Sequence, residues 1–244
     1  MKIAVIGGTG RIGSPLVAAL RAAGHEAVPH ARSTGVDLLT GEGLEQALAG
    51  ADVLIDVTQS PTSDDSSLAF FEATMDHLLA AADKAGVRHA VLLSIVGVDQ
   101  VPGLGYYRAK VHQENLLKAG PVPYSIVRAT QFFEFIEEVM SWSADGDTVR
   151  LSSTPLQPVA GADVVQVVAE VAVGAPLDGI LDIAGPDVLP LDELGRITLA
   201  ARGDSRTVTT DNTVPPFGAV PGDAIIAKDG ARITPTHYRD WLAG

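Results

Sequence analysis

The first 21 residues constrain the fold of this chain most strongly. Four apolar residues at 3–6 predict a short buried strand, and residues 14–21 predict a helix. The loop between them reads Gly7-Gly8-Thr9-Gly10-Arg11-Ile12-Gly13. Glycines at the spacing GxxGxxG allow a tight turn, close approach of a phosphate to the backbone, and close helix-on-strand packing. Because the N–H groups that open a helix attract anions, the segment predicts a dinucleotide-binding loop rather than an ordinary strand–turn–helix.

Strands and helices alternate after this loop. Further strands are predicted at 51–57, 89–96, 124–129 and 148–151, with helices at 66–85, 105–119 and 132–143. This alternation predicts an α/β fold, a Rossmann-type doubly wound and mostly parallel sheet. The pattern changes near residue 150, so we expect a dinucleotide-binding domain over 1–150 and a smaller α/β substrate region over 151–244. Three prolines and two glycines predict a loop over 212–222.

The second strand, predicted over 25–31, contains Pro29. Proline has no N–H to donate to a ladder, so it belongs at the edge or the end of a strand. The connection after Arg32 is too short for the usual crossover helix and third strand. We therefore predict a shortened sheet in which this second strand lies near an edge.

Composition excludes several classes of function. The 244 residues are 46% hydrophobic and carry a net charge of −13 without a basic cluster, which disfavours nucleic acid and anionic membranes. The chain has no cysteine, and its six histidines lack the spacing of metal ligands, so no metal site is expected. No apolar run is long enough to span a membrane, and we expect a cytoplasmic protein. Nothing in the pattern defines an oligomeric state.

Tyr106 and Lys110 form a Tyr-x-x-x-Lys pair, which places both side chains on one face of a helix. A neighbouring ammonium lowers the pKa of a phenol and makes it a better proton shuttle. Ser94 ends the preceding strand, where its hydroxyl could contact a substrate carbonyl. These three residues are the predicted catalytic set. The alternatives are packing of both tyrosines, a Lys110–Glu114 pair, and Tyr107 in place of Tyr106 as the proton donor.

Cofactor selectivity is expected at the end of the second strand. An acidic residue there commonly binds the ribose hydroxyls of NAD. This chain has Arg32 and Ser33 instead, and a guanidinium suits a 2′-phosphate. Arg11 in the glycine loop could assist. We therefore predict a preference for NADP(H) over NAD(H), against the alternative that Arg32 is a solvated loop cation.

Three further motifs, together with the glycine loop, carry a family resemblance. They read Tyr106-Tyr107-Arg108-Ala109-Lys110, Tyr124-Ser125-Ile126-Val127-Arg128-Ala129-Thr130-Gln131-Phe132-Phe133 and Ile183-Ala184-Gly185-Pro186. With these motifs the chain resembles the atypical short-chain dehydrogenase/reductase group, in particular its NmrA-like branch.

The resemblance implies a role for each cofactor-binding residue. Gly7, Gly10, Arg11 and Ile12 would border the pyrophosphate, with Thr9 and Gly13 in the same loop. Arg32 would bind the 2′-phosphate, and Asp37 with Leu38 would flank the adenine. Thr58 would lie along a ribose, Lys110 would hold the nicotinamide ribose, and residues 128–133 would line the substrate end.

The sequence thus predicts an NADPH-dependent reductase of a small carbonyl or conjugated carbonyl compound. Two alternatives stay open. The first is a non-catalytic NADP(H)-binding redox sensor that regulates a protein partner, because the NmrA-like branch includes such members. The second is an isomerase or epimerase that retains its cofactor.

Overall fold

The computed structural model describes residues 1–215, 217–218 and 220–244. Pro216 and Ala219, within the predicted loop 212–222, lie outside the described residues. The strands are β1 Lys2–Ile6, β2 Glu26–His30, β3 Val53–Asp56, β4 His89–Ile95, β5 Tyr124–Ala129, β6 Ala144–Asp145, β7 Thr148–Leu151, β8 Pro155–Leu156, β9 Gly179–Ala184, β10 Leu189–Pro190, β11 Thr207–Thr210 and β12 Arg232–Ile233. The helices are α1 Gly13–Ala22, α2 Leu44–Leu48, α3 Ser66–Ala85, α4 Gly105–Ala119, α5 Phe133–Trp142, α6 Gly161–Val173, α7 Leu191–Arg202 and α8 Tyr238–Ala243.

The largest sheet has seven strands in the order β2-β1-β3-β4-β5-β9-β12. The pairings of β1 with β2 and β3, of β3 with β4, and of β9 with β12 are all parallel. Strands β1, β3 and β4 are almost wholly buried, as expected for central strands covered by helices on both faces. The predicted Rossmann-type α/β fold is confirmed.

Strand β2 lies at the edge of this sheet, as its proline predicts. The carbonyl of His30 accepts a hydrogen bond from the Gly7 N–H at 2.9 Å, so His30 faces β1. Because successive residues of a strand point their backbone polar groups to opposite sides, the Pro29 nitrogen faces the open edge. A short 3-10 turn, Arg32–Thr34, and helix α2 connect β2 to β3. Within the described residues no strand lies beyond β2.

Carboxylates near the starts of two helices bind partners outside the helix. Asp64 Oδ1 accepts the Ser66 N–H at the start of α3 at 3.0 Å, while the neighbouring Asp65 carboxylate pairs with Arg108. Asp163 lies inside the first turn of α6 and accepts a hydrogen bond from Thr236 at 3.0 Å. In both cases a tertiary partner competes for the carboxylate.

The contacts divide the chain into two compact units. Unit 1 comprises residues 1–94, 102–128 and 165–181, and unit 2 comprises residues 95–101, 129–164 and 182–244. The core of unit 1 joins strands β1, β3 and β4 to helices α2, α3 and α4, through residues such as Ile6, Leu54, Met75, Leu92 and Leu117. Unit 2 contains an aromatic cluster of Phe133, Tyr238 and Trp241. The boundary expected at residue 150 stays a prediction.

Candidate active site

The glycine loop between β1 and α1 leaves no room for side chains at two of its positions. A Cβ on Gly13 would lie 2.1 Å from the Gly7 oxygen, and a Cβ on Gly8 would lie 2.6 Å from the Pro29 Cα. Gly7 itself has φ +77°, a backbone angle that residues with a side chain rarely adopt.

Helix α1 begins without a side-chain cap. Its Ser14 N–H donates to the Gly10 carbonyl at 2.9 Å, and Pro15 has no N–H. At the start of the helix the Gly13 N–H, which has no partner among the described residues, is therefore open to an anion. The loop therefore has the shape and polarity of a phosphate cradle.

Two buried polar atoms beside this loop have no hydrogen-bond partner among the described residues. They are Thr58 Oγ1, just after β3, and His30 Nε2, at the end of β2. Burial, with a smaller contribution from Lys2, lowers the pKa of His30, so its imidazole is neutral at neutral pH. A buried polar atom without a partner costs about 1–3 kcal/mol. Both atoms fit a ligand rich in hydrogen-bonding groups, as a dinucleotide is.

The residues predicted to select the cofactor follow β2 in one connection. Arg32 and Ser33 are exposed in the 3-10 turn, and the Arg32 guanidinium makes no hydrogen bond or ion pair with any residue that the structure describes. Asp37 Oδ1 accepts the Leu39 N–H at 2.9 Å, and the Leu38 carbonyl contacts His77 Nδ1 at 2.9 Å. Thr9 and Arg11 are exposed in the glycine loop. All of them lie in unit 1 with the cradle.

Ser94 makes a different contact from the one expected. Its hydroxyl donates to Glu114 Oε1 at 2.7 Å, and Glu114 is fully buried. Arg128 holds the same carboxylate with two bonds of 2.8 and 2.7 Å, and Lys118 adds a third cation contact at 3.1 Å. Burial raises the pKa of Glu114, but the bonds from Arg128 and Ser94 outweigh it and hold the pKa below its ordinary value. The Ser94 proton is therefore committed to a carboxylate rather than free for a substrate carbonyl.

Lys110 is buried at the centre of the predicted catalytic set. Its Nζ donates to the Leu93 carbonyl at 2.9 Å and to Gln113 Oε1 at 2.6 Å, and lies 5.2 Å from the centre of the Phe71 ring. The alternative of a Lys110–Glu114 pair is not formed, because Arg128 and Lys118 hold that carboxylate. Burial lowers the pKa of Lys110 to about 8.

Tyr106 is half-buried, and its environment differs from the one expected. Burial, the Asp56 carboxylate and Tyr107 together raise the pKa of Tyr106 to about 12. The expected lowering of this pKa by Lys110 is not found, because burial and the Asp56 carboxylate both favour the neutral phenol. The phenol is therefore protonated at neutral pH. Tyr107, the alternative donor, is buried as well.

Sequence reasoning missed two buried polar residues that hold this site together. Asp56, at the end of β3, accepts the Thr58 N–H at 2.9 Å through Oδ1 and the Gln113 side-chain amide at 3.0 Å through Oδ2. The available signals were an aspartate ending an apolar strand and a glutamine one helical turn after Lys110. Neither signal identifies its partner, because the two residues are 57 positions apart.

The described residues contain no group of three or more His, Cys, Asp or Glu side chains that could hold a metal ion. Among the same residues, no helix combines the length and apolar character needed to cross a membrane.

Comparison with known proteins identifies the family of the chain. A family model described as NAD(P)H-binding matches residues 7–172, which include the cradle, Thr58 and Lys110. The chain belongs to this NAD(P)H-binding family. This membership agrees with the predicted resemblance to the atypical short-chain dehydrogenase/reductase group and its NmrA-like branch.

Individual relatives are more distant. A (4-alkanoyl-5-oxo-2,5-dihydrofuran-3-yl)methyl phosphate reductase from Streptomyces griseus is 28% identical over 210 residues, covering 78% of this chain and 70% of the relative. A nucleoside-diphosphate-sugar epimerase from Staphylococcus aureus superimposes with TM-score 0.76 at 15% identity, over the full length of both chains. An NADPH-dependent quinone oxidoreductase from Escherichia coli gives TM-score 0.70 at 16% identity, covering 99% and 98% of the two chains. These two structures share the fold.

Proposed function

We propose that this protein is an NADPH-dependent oxidoreductase that transfers hydride to a small carbonyl or conjugated carbonyl compound. The observation that carries the proposal is a buried ammonium, Lys110, in the same compact unit as a glycine cradle shaped for phosphate. The name of the Streptomyces relative supports the substrate class, since its oxo and alkanoyl carbonyls are both conjugated with one ring double bond. Oxidoreductase activity on a nicotinamide cofactor is the coarser part of this proposal, and NADPH and carbonyl selectivity are the finer parts.

The chain offers one set of contacts for each part of the cofactor. The Ile12 and Gly13 N–H groups at the start of α1 would hold the pyrophosphate, and Gly7 and Gly10 would border it without a side chain in the way. Thr58 Oγ1 would donate to a ribose. Lys110 uses two of its three N–H groups within the protein, and the third would hold the nicotinamide ribose. Arg32 and Ser33 would bind the 2′-phosphate.

Reduced nicotinamide, when bound, supplies the hydride. Tyr106 would supply the proton from its Oη, because a pKa of about 12 keeps this phenol protonated at neutral pH. Ser94 can donate to a substrate carbonyl only after its hydroxyl rotates away from Glu114, which breaks one buried hydrogen bond. This cost makes Tyr106 the stronger candidate for contact with the substrate oxygen.

A second candidate is a non-catalytic NADP(H) sensor. The observations that favour it are the committed Ser94 proton and the high pKa of Tyr106, neither of which is tuned for rapid proton transfer. In such a protein the cradle would bind cofactor and the catalytic set would be structural.

Turnover and binding distinguish the two candidates. NADPH oxidation is followed spectrophotometrically with a panel of aldehydes, ketones, quinones and unsaturated lactones, while calorimetry gives the cofactor Kd. For an enzyme, Tyr106→Phe is expected to lower kcat by about 100-fold or more while Kd stays within about twofold. Tyr107→Phe is the matched control and should retain turnover.

Each other outcome has a definite meaning. Cofactor binding without turnover of any compound would favour the sensor, and a product isomer without net NADPH consumption would favour an isomerase or epimerase. If neither NADPH nor NADH binds, the proposed oxidoreductase is wrong.

A further inference from the structure

A continuous chain of hydrogen bonds connects Thr58 to Lys110, two residues of the proposed cofactor site. The Thr58 N–H and the side-chain amide of Gln113 both donate to the Asp56 carboxylate, and Lys110 Nζ donates to Gln113 Oε1. Gln113 is fully buried and Asp56 is 4% exposed. Because every link lies in unit 1, its geometry is independent of how unit 2 is placed.

Asp56 determines which way the Gln113 amide points. A carboxylate only accepts hydrogen bonds, so the Gln113 NH₂ must face Asp56 and its Oε1 must face Lys110. A flipped amide would place NH₂ against the ammonium and oxygen against the carboxylate, and both contacts would be repulsive. The orientation follows from the two charged neighbours.

Two acceptors also fix the ammonium. With the Leu93 carbonyl and Gln113 Oε1 occupied, tetrahedral geometry leaves one direction for the third N–H of Lys110. We propose that Asp56 and Gln113 are positioning residues that aim the Lys110 ammonium and keep it charged for binding of the cofactor ribose. This inference rests on the role of Lys110 given under the proposed function.

The charges around Lys110 support the role of Asp56. The titratable groups that act on Lys110 among the described residues are Asp56 from β3 and Glu114 from α4, while α3 contributes the uncharged Phe71 ring and β4 a carbonyl. Both carboxylates oppose the lowering of the Lys110 pKa by burial, and Asp56 does so more strongly than Glu114. Glu114 is paired with Arg128 and Lys118, whereas Asp56 forms no ion pair with any residue in the described part of the chain. Asp56 is therefore the main carboxylate that keeps Lys110 charged.

The pH dependence of cofactor binding tests the arrangement. In the unmodified protein, the NADPH affinity is expected to fall as pH rises through about 8, where Lys110 loses its proton. Asp56→Asn should lower the midpoint of this fall by about one unit, because it removes the negative charge and leaves the orientation of the Gln113 amide undetermined. The double variant Asp56→Asn/Gln113→Glu places one carboxylate between an amide and the ammonium, and should return the midpoint to the value of the unmodified protein or above it.

Controls separate positioning from folding. Asp52→Asn, at the opposite end of the β3 region, removes a carboxylate bonded to Lys2 and Arg88 and should leave the midpoint unchanged. If Asp56→Asn does not fold, Gln113→Met removes the bridge while retaining the charge, and it should also lower the midpoint. A purely structural role would lower the melting temperature of these variants without moving the midpoint.

A measurement without cofactor distinguishes failure of this inference from failure of the proposed function. NMR titration of ¹³Cε-labelled lysine in the free protein reports the pKa of Lys110 directly. A lower pKa in Asp56→Asn that the double variant reverses supports the inference even if no cofactor binds and the oxidoreductase proposal is lost. An unchanged pKa, or a double variant that restores nothing, overturns the inference while leaving cofactor binding by the cradle intact.

Discussion

Single residues in the proposed site differ sharply in burial, and this difference assigns them different tasks. The Arg32 side chain is exposed and has no partner among the described residues, so its guanidinium is available to bind an anionic group. Lys110 and Glu114 are buried, and their charges are held by fixed hydrogen bonds. We therefore expect a change at Arg32 to alter selectivity and a change at Glu114 to alter stability.

Arg32→Ala tests cofactor selectivity. The kcat/KM for NADPH should fall by roughly 10- to 100-fold, because charge-assisted hydrogen bonds contribute about 1.5–3 kcal/mol, while the value for NADH should change little. Arg88→Ala removes an exposed arginine that pairs with Asp52, and is the control. Equal use of both cofactors by the unmodified protein would contradict the predicted preference.

Glu114→Gln tests the buried ion pair. Loss of one partner leaves Arg128 buried without its carboxylate, which costs about 3–5 kcal/mol in the free energy of unfolding at neutral pH. Glu45→Gln, which breaks the exposed pair with Lys84, should change it by less than about 0.5 kcal/mol. Urea unfolding measures both values. Similar losses in the two variants would show that the buried pair contributes no more to the free energy of unfolding than the exposed pair.

At the scale of elements, β1, the glycine loop and α1 form the part of the site that was most predictable from sequence. Apolar periodicity and glycine spacing are local signals, so they identify a strand, a turn and a helix without knowledge of the rest of the chain. Helix α4 and strands β5 and β7 also lie at their predicted bounds. The two-residue strands β6, β8, β10 and β12 were not predictable, because so short a segment carries no period.

Gly13→Ala tests the packing of this segment. Since a Cβ would approach the Gly7 oxygen to 2.1 Å, the loop must move, and we expect the dinucleotide Kd to rise by about tenfold or more. Gly103→Ala places a methyl group where no atom lies within 4 Å and should leave Kd unchanged. Calorimetric titration with NADPH gives both constants, and an unaltered Kd in Gly13→Ala would mean that the cradle does not contact the cofactor.

At the scale of the whole molecule, the fold was predictable from the sequence, but the hydrogen bonds between the side chains of the site were not. The residue types at Ser94, Tyr106 and Lys110 are visible in the sequence, but their bonds depend on Asp56, Gln113 and Arg128, which lie on other elements or turns. A hydroxyl near a strand end can bond a substrate or a buried carboxylate, and only tertiary packing decides between them.

The pH dependence of stability is a property of the whole molecule that follows from Glu114. Its folded-state pKa lies below the ordinary 4.5, so its ion pair stabilises the fold fully above that pH. This contribution is lost as pH falls through the lower folded-state value. The free energy of unfolding should therefore decline more steeply with acid in the unmodified protein than in Glu114→Gln. Urea titrations from neutral pH to about pH 3 measure the two slopes, and parallel slopes would contradict the assignment.

The proline at the outer strand has a consequence for solubility. An exposed edge strand has unpaired backbone N–H and C=O groups. A strand from another chain can pair with them and extend the sheet, which is one way in which folded proteins aggregate. Pro29 has no backbone N–H, so the edge lacks one of the donors that such pairing requires. Pro29 lies just before the connection that contains Arg32. The open edge of β2 can therefore remain uncovered beside a ligand site without favouring strand pairing between two copies of the protein.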